Sequence, residues 1–258
     1  MSSQPLVSVV IPAYRCAGTL AASIDSALAQ DVPMEILVID DCPDAPVAQV
    51  MEQYRDDGRV IYLRNEKNLG AAETRNRGVA QAKAPYVAFL DSDDLWRPGK
   101  LKKQLAALER TGAVLCCTAR ELMTPDGVFT GKIIPVKETI SYKDLLKHNS
   151  INCSSVLIRT EVAKQFPMTF AESHEDYIMW LRVLQAYGNA CGINEPLLQY
   201  RLSNTGKSGS KLKSAKMTFM VYRHMGFGIG KSILCFCSYA FHGVSKYLFT
   251  KRKANVAQ

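Results

Sequence analysis

Residues 86–96 read Tyr-Val-Ala-Phe-Leu-Asp-Ser-Asp-Asp-Leu-Trp. The short apolar run Tyr86–Leu90, closed by a polar cluster, predicts a buried β-strand. It runs straight into Asp91, Ser92, Asp93 and Asp94. Three carboxylates within four residues repel one another unless a cation or hydrogen-bond donors compensate. A hard divalent ion such as Mg²⁺ or Mn²⁺ takes oxygen ligands of this kind, one or two carboxylates together with substrate phosphates and water. The competing reading is a capped turn, since Asp is a good N-cap and a helix opens near Pro98.

Working outward, the upstream chain alternates β-branched apolar runs with helical patterns. Leu6–Ile11 reads as a strand punctuated by Pro12, and Ile36–Ile39 and Val60–Leu63 as the next two. Between them, Thr19–Gln30 carries Leu20, Ile24, Ala27 and Leu28 at helical spacing, and Val47–Tyr54 and Ala71–Ala82 are further helices. Strands separated by single helices imply right-handed crossovers and an α/β fold with a mostly parallel central sheet covered on both faces. Open sheets of this kind bind ligands at the carboxyl ends of their strands. Pro12-Ala13-Tyr14-Arg15, Asp40-Asp41 and the Asp91–Asp94 cluster all fall at such ends, so three strands aim polar groups at one rim. Downstream, Pro98–Thr111 is predicted as a helix and Ala113–Thr118 as a strand. Met123–Ile134 reads as a hairpin around Pro125-Asp126-Gly127, Ser154–Arg159 as a strand and Glu175–Tyr187 as a helix. Two helical segments, near Ala215–Met225 and Ile229–Phe249, close the chain.

With 258 residues, 47% of them apolar and 22% charged, the chain has ample material for a folded core. Its net charge of +8 is unevenly spread: residues 1–200 hold 21 Lys and Arg against 24 Asp and Glu, whereas residues 201–258 hold 11 basic residues and no acid. The N-terminus has no basic region ahead of an apolar core and cleavage site, so no export signal is expected. Eight cysteines without any C-x-x-C disfavour a zinc site and fit free thiols in a reducing cytoplasm. Gly226–Ser232 resembles a phosphate-binding P-loop but is one residue too short between its outer glycines and follows a helix rather than a strand. The absence of G-x-G-x-x-G after the first strand disfavours a dinucleotide-dependent oxidoreductase.

Taken in order, Val7–Tyr14, Ile39-Asp40-Asp41, Asn68-Leu69-Gly70 with Thr74–Gly78, and Phe89–Trp96 with Pro98 resemble the family 2 glycosyltransferases. The resemblance covers residues 5 to about 202 and implies a GT-A nucleotide-diphospho-sugar transferase fold with inverting, metal-dependent chemistry. It implies a catalytic domain over 1–202, with a nucleotide-binding half to about 118 and an acceptor half over 119–202, and a basic amphipathic helical extension over 203–258. By the same resemblance Pro12, Tyr14 and Asp41 hold the nucleoside of a donor expected to be a UDP-sugar; Arg75, on the helix after Gly70, either faces its phosphates or is an ordinary surface arginine. Asp91 and Asp93 correspond to the DXD motif, Asp93 as the metal ligand and Asp91 nearer the ribose, with Mn²⁺ or Mg²⁺ as the cofactor. Ser173-His174-Glu175-Asp176 resembles the family's Glu-Asp motif. An inverting transfer needs a base for the acceptor hydroxyl, and Asp176 is the expected one, with Glu175 the other candidate. Ser173 and Asp176 also have the spacing of a capping box, and a helix N-terminus favours an ionised carboxylate.

His174 reads either as an acceptor-side residue or as a plain surface histidine, and Arg201, Lys207 and Lys211 suit phosphate oxygens of the donor or of a lipid-linked acceptor. The final helix carries Ile233, Phe236, Cys237, Ala240, Phe241, Val244, Tyr247 and Leu248 on one broad face, with Lys251-Arg252-Lys253 beyond. That pattern reads as an interfacial helix on an anionic membrane, each basic residue near the surface adding on the order of 1 kcal/mol. Packing on the catalytic domain or on a second copy of the chain is the other reading, and nucleic-acid binding is not expected. The expectation is therefore a hexosyl- or N-acetylhexosaminyl-transferase peripheral to the inner face of the cell membrane, acting on a lipid-linked or polysaccharide acceptor. A nucleotidyltransferase and a non-catalytic nucleotide-sugar-binding protein are its rivals.

Overall fold

The computed structural model describes residues 4–44, 47–202 and 211–254. Strands and helices alternate first: β1 (Val7–Ala13), α1 (Leu20–Leu28), β2 (Met34–Asp40), α2 (Val47–Met51), β3 (Val60–Arg64), α3 (Gly70–Gln81) and β4 (Tyr86–Phe89). The middle of the chain forms β5 (Leu95–Trp96), α4 (Lys100–Thr111), β6 (Leu115–Met123), β7 (Phe129–Ile134), β8 (Thr139–Ile140), α5 (Tyr142–Lys147), β9 (Leu157–Arg159) and α6 (Thr160–Gln165). Then come α7 (Glu175–Tyr187), β10 (Ala190–Arg201), α8 (Lys211–His224) and α9 (Ile229–Ala254).

All strands join one sheet, ordered β3-β2-β1-β4-β9-β6-β10-β5, with β7 paired to β6 and β8 to β10. β1, β2, β3 and β4 are mutually parallel, as single-helix crossovers require. β9 runs antiparallel between β4 and β6, and β6 and β10 are again parallel. Parallel pairing predominates, and the predicted α/β class holds. β1 and β2 are almost wholly buried, which is why they read as continuous apolar runs rather than alternating ones. Pro12 is tolerated within β1 because the pairing with β4 ends at Val10, leaving only β2 alongside.

The two faces of the sheet bury separate cores. On one, Leu20, Ile24 and Ala27 of α1 and Leu101 and Leu108 of α4 pack on Val7, Val9 and Ile11. On the other, α3, α5 and α7 cover Val10, Leu37 and Phe89, with Trp180 fully buried and its ring 6.0 Å from that of Phe89. Gly78 lets α3 lie close on β1: a Cβ there would meet Val10 Cγ1 at 2.4 Å.

β10 escapes the sequence pattern. Pro196 offers no N–H to the ladder, and the register against β6 shifts on both sides of it, so apolar alternation is lost where the strand bulges. β6 likewise extends past the predicted Thr118 to Met123, where the expected hairpin turns through Thr124–Val128 into β7. All eight cysteines are free.

The C-terminal helices pack on this frame. Met217, Val221 and Tyr222 of α8 are buried. The Tyr222 hydroxyl donates to Leu146 O at 2.8 Å and lies 3.4 Å from the Tyr177 hydroxyl. α9 adds Tyr239 beside Tyr177 and His148. Ile233, Cys237, Ala240 and Phe241 of α9 point away from the protein instead.

Candidate active site

At the carboxyl ends of β1, β2 and β4 lies an open cavity of about 380 Å³. Pro12, Tyr14, Asp41, Arg75, Asp91 and Asp93 all line it, together with Asn68, Gly70 and Thr74. The residues that the motifs single out along 80 positions of chain therefore converge on one rim. Tyr14 is about half exposed at its mouth, its ring 5.3 Å from the Arg15 guanidinium, and Arg15 holds a left-handed φ of 49°. An exposed aromatic face beside a polar cleft suits stacking against a base.

Asp41 is buried and already engaged. Its Oδ1 accepts from Asn65 Nδ2 and from Leu69 N, both at 2.7 Å, and its Oδ2 accepts from Gly70 N at 2.8 Å. Leu69 and Gly70 open α3, so this carboxylate satisfies N–H groups that a helix start leaves orphaned and sits on the positive end of its dipole. Asp41 thus shapes the Asn68–Gly70 loop as well as facing the cavity. Asn65, which the motif reading did not single out, supports it from the end of β3.

Arg75 is buried and joins two halves of the site. Its Nη2 donates to Asp91 Oδ1 at 2.5 Å, and its Nη1 lies 3.5 Å from Glu175 Oε1 at the start of α7. The two carboxylates hold the guanidinium firmly charged, against the cost of its burial. Asp91 N donates to Ser154 Oγ, and Trp96 Nε1 donates to Ser154 O, so the turn at Cys153–Ser155 braces the acidic loop from below. Nothing in the spacing around Ser154 marks this role.

Burial and the neighbouring Asp91 push the Asp93 carboxyl above its usual range. Asp94 is pushed up further by burial and by both neighbours; its Oδ1 accepts from Arg201 N at 2.9 Å, while its Oδ2 has no partner. The Arg201 side chain donates to the carbonyls of Asp93 and Pro125 at 2.8 and 2.9 Å, bracing the same loop. This is a rim with surplus negative charge, the condition a divalent cation relieves. Among the described residues no group of three or more His, Cys, Asp or Glu forms a ready cage. Asp93 and Asp91 fit a cation only if substrate phosphates complete its shell, which is how Mg²⁺ is commonly bound.

At α7 the expected capping box is corrected. The helix starts at Glu175, so His174 occupies the N-cap with no side-chain cap bond, and Ser173 sits one residue outside. The Ser173 hydroxyl donates to Met217 O of α8 at 2.8 Å instead. Asp176 Oδ1 accepts from Tyr177 N at 2.8 Å. Burial, and after it the adjacent Glu175 charge, raise the Asp176 carboxyl to about 6, with Arg75 pulling the other way. A carboxylate poised there is suited to accept a proton near neutral pH. Lys207 lies outside the described residues, and Lys211 is the first residue of α8.

The sheet order and the acid-lined rim define a GT-A-type α/β protein. The family described as glycosyl transferase family 2 matches residues 8–164, and the chain belongs to it. A protein of Bacillus subtilis (strain 168), TuaG, whose name assigns it as a glycosyltransferase to teichuronic acid biosynthesis, is 37% identical over 95% of this chain and 98% of its own. WfaP of Escherichia coli is 32% identical over 96% of this chain and 97% of its own. Its name is UDP-Glc:alpha-D-GlcNAc-diphosphoundecaprenol beta-1,3-glucosyltransferase. The crystal structure of S. aureus TarS 1-349 in complex with UDP-GlcNAc matches 91% of this chain and 71% of its own, with a TM-score of 0.69 at 18% identity. The fold is shared at that distance, and this chain is a glycosyltransferase.

Proposed function

We propose that this glycosyltransferase moves a sugar from a UDP-sugar to a hydroxyl of a sugar linked through diphosphate to a polyprenol, with inversion at the transferred carbon, in the synthesis of a cell-surface glycan. The name of WfaP supports the donor and acceptor classes, and that of TuaG the role in glycan biosynthesis. The observation that carries the reading is the Arg75 bridge: one buried guanidinium ties Asp91 on the donor rim to Glu175, beside Asp176, which is raised to about 6.

In this reading Tyr14 covers the uracil face, and Asp41 with Asn68 presents polar groups to the nucleoside. Asp93, with Asp91, would hold Mn²⁺ or Mg²⁺ against the diphosphate. Such an ion supplies Lewis-acid neutralisation of the charge that develops on the departing diphosphate. Asp176 takes the proton of the acceptor hydroxyl as that oxygen attacks, and Glu175 keeps Arg75 in register with Asp91. His174 at the N-cap borders the acceptor side. Lys207 and Lys211 remain candidates for phosphate contact.

The exposed stripe of Ile233, Cys237, Ala240 and Phe241 supports a peripheral seat on the membrane, since contiguous exposed apolar surface marks an interaction site. Among the described residues no helix is long and apolar enough to cross a membrane. The test is a panel of nucleotide-sugars scored by thermal stabilisation with and without Mn²⁺, followed by single-turnover transfer. Metal-dependent stabilisation by UDP-sugars above other nucleotide-sugars supports the reading. Equal stabilisation by all, or none by any, overturns the donor assignment.

A further inference from the structure

α8 has two working faces. Met217, Thr218, Val221 and Tyr222 are turned inward. Leu212, Ala215, Lys216 and Phe219, at spacings of three and four, form another face that meets Phe236 of α9. Phe219 and Phe236 contact edge to face, with ring centroids 6.3 Å apart. Between the two helices runs an open groove of about 680 Å³, within the range of about 300–1,000 Å³ usual for small-ligand sites. Its floor is almost wholly apolar, and among the described residues Lys213 and Lys216 are the charged ones that line it. Three features point to its occupant. The groove is open and apolar and takes in Phe236 of α9, the helix on which Ile233 and Phe241 are exposed. The charges that line it among the described residues are cationic, in a segment from 201 onward that contains no acid at all. Through Met217 O, the same helix accepts the hydroxyl of Ser173, three residues before Asp176. The groove is therefore carried by the helix that anchors the segment leading into the candidate base.

We infer that the α8–α9 groove seats the first isoprene units of a polyprenyl-diphosphate acceptor, with Lys213 and Lys216 on its diphosphate. The inference rests on the transfer reading above and adds to it the place where the lipid is held. Apolar burial supplies affinity for the tail, and two ammonium groups select an anionic head over a neutral one. The bilayer supplies the ligand laterally, from the side on which Ile233 and Phe241 are exposed.

The test uses the full chain in detergent with saturating UDP and Mg²⁺, so that the donor cavity is filled. The probe is a dansyl-labelled farnesyl diphosphate, followed by anisotropy. Ala215→Trp fills the groove, and Lys213→Glu with Lys216→Glu reverses its rim. Each is expected to weaken probe binding by about tenfold or more, the loss of an apolar seat or of two charge-assisted contacts. Unlabelled farnesol should compete poorly, and UDP binding measured by calorimetry on the same samples should be unchanged. Wild-type probe affinity in both variants overturns the groove while leaving the transfer reading intact. Phosphatidylglycerol vesicles that displace the probe as well as farnesyl diphosphate does would overturn it in favour of a plain membrane surface. A wild-type dimer that Ala215→Trp converts to monomer would overturn it in favour of a second copy. Absent UDP binding in every sample counts against the donor reading alone, because the probe titration is read separately.

Discussion

Replacing Asp176 by Asn removes a negative charge from a site where burial and Glu175 both oppose it. The native carboxyl titrates near 6, about two units above the 3.8 of an unperturbed Asp. Well below pH 3.8, the unperturbed value, the group is protonated in both folded and unfolded chains and costs nothing. Between pH 4 and 6 the unfolded chain releases this proton first, so native stability falls as pH rises, and above 6 the full cost is present. Each unit corresponds to 1.36 kcal/mol, so the ionised carboxylate costs the fold up to about 3 kcal/mol, and about 1–2 kcal/mol after allowance for its partial exposure. Asn keeps an oxygen for Tyr177 N and carries no charge. Asp176→Asn should therefore raise the melting temperature at pH 7.5 by about 2–8 °C for a chain of this size and leave it unchanged at about pH 3. Sugar transfer should fall by about a thousandfold or more, while UDP-sugar binding persists, as expected of a lost proton acceptor. Scanning fluorimetry at the two pH values, calorimetric UDP-sugar titration and single-turnover transfer decide it together. A variant less stable than wild type at pH 7.5, or one that loses donor binding and transfer in parallel, would refute the reasoning and make Asp176 a structural residue.

Asp93→Ala should abolish Mn²⁺-dependent stabilisation by UDP-sugars and lower kcat/KM by about a thousandfold or more, read by thermal shift and transfer assays. Arg75→Met strands Asp91 and Glu175 and should cost about 3–5 kcal/mol of stability in urea unfolding. Because the guanidinium holds Asp176 down, the acid limb of the pH–rate profile of this variant should also move to higher pH; an unmoved limb would separate Arg75 from the base. Gly78→Ala presses a methyl into Val10 and should cost about 1–3 kcal/mol, with Val10→Ala restoring part of it in the double variant.

How far the sequence reveals this site depends on whether a residue acts through its own strand or through a distant partner. Pro12, Asp41, Asp91 and Asp93 follow directly from apolar runs that end in polar residues, because a parallel sheet fixes what lies at its carboxyl edge. The bridge made by Arg75 to Glu175 joins residues a hundred positions apart, and no local spacing encodes it. Ser173 shows the converse: its spacing to Asp176 matches a capping box, yet a backbone carbonyl of α8 takes its hydroxyl once the helices pack. β10 stayed hidden because Pro196 and its flanking bulges erase the alternation by which strands are read. The apolar face of α9 was legible, but not that Tyr239 would turn inward while Ile233 and Phe241 stay outside.

The pairing of β5 has a consequence for the order in which the enzyme becomes complete. Trp96 and Leu95 find their strand partners only in Leu198 and Gln199, about a hundred residues later. Arg201, just beyond, holds the backbone carbonyl of Asp93 and the side-chain carboxyl of Asp94. On the ribosome, at about 5–20 residues per second, that interval lasts about 5–20 s. During it β1 to β4 can pair among themselves, but the acidic loop lacks its bracing strand. A nascent chain can thus own a nucleoside cleft well before it owns a finished diphosphate rim, and competence arrives as a late event of synthesis, when β10 slots in beside β6.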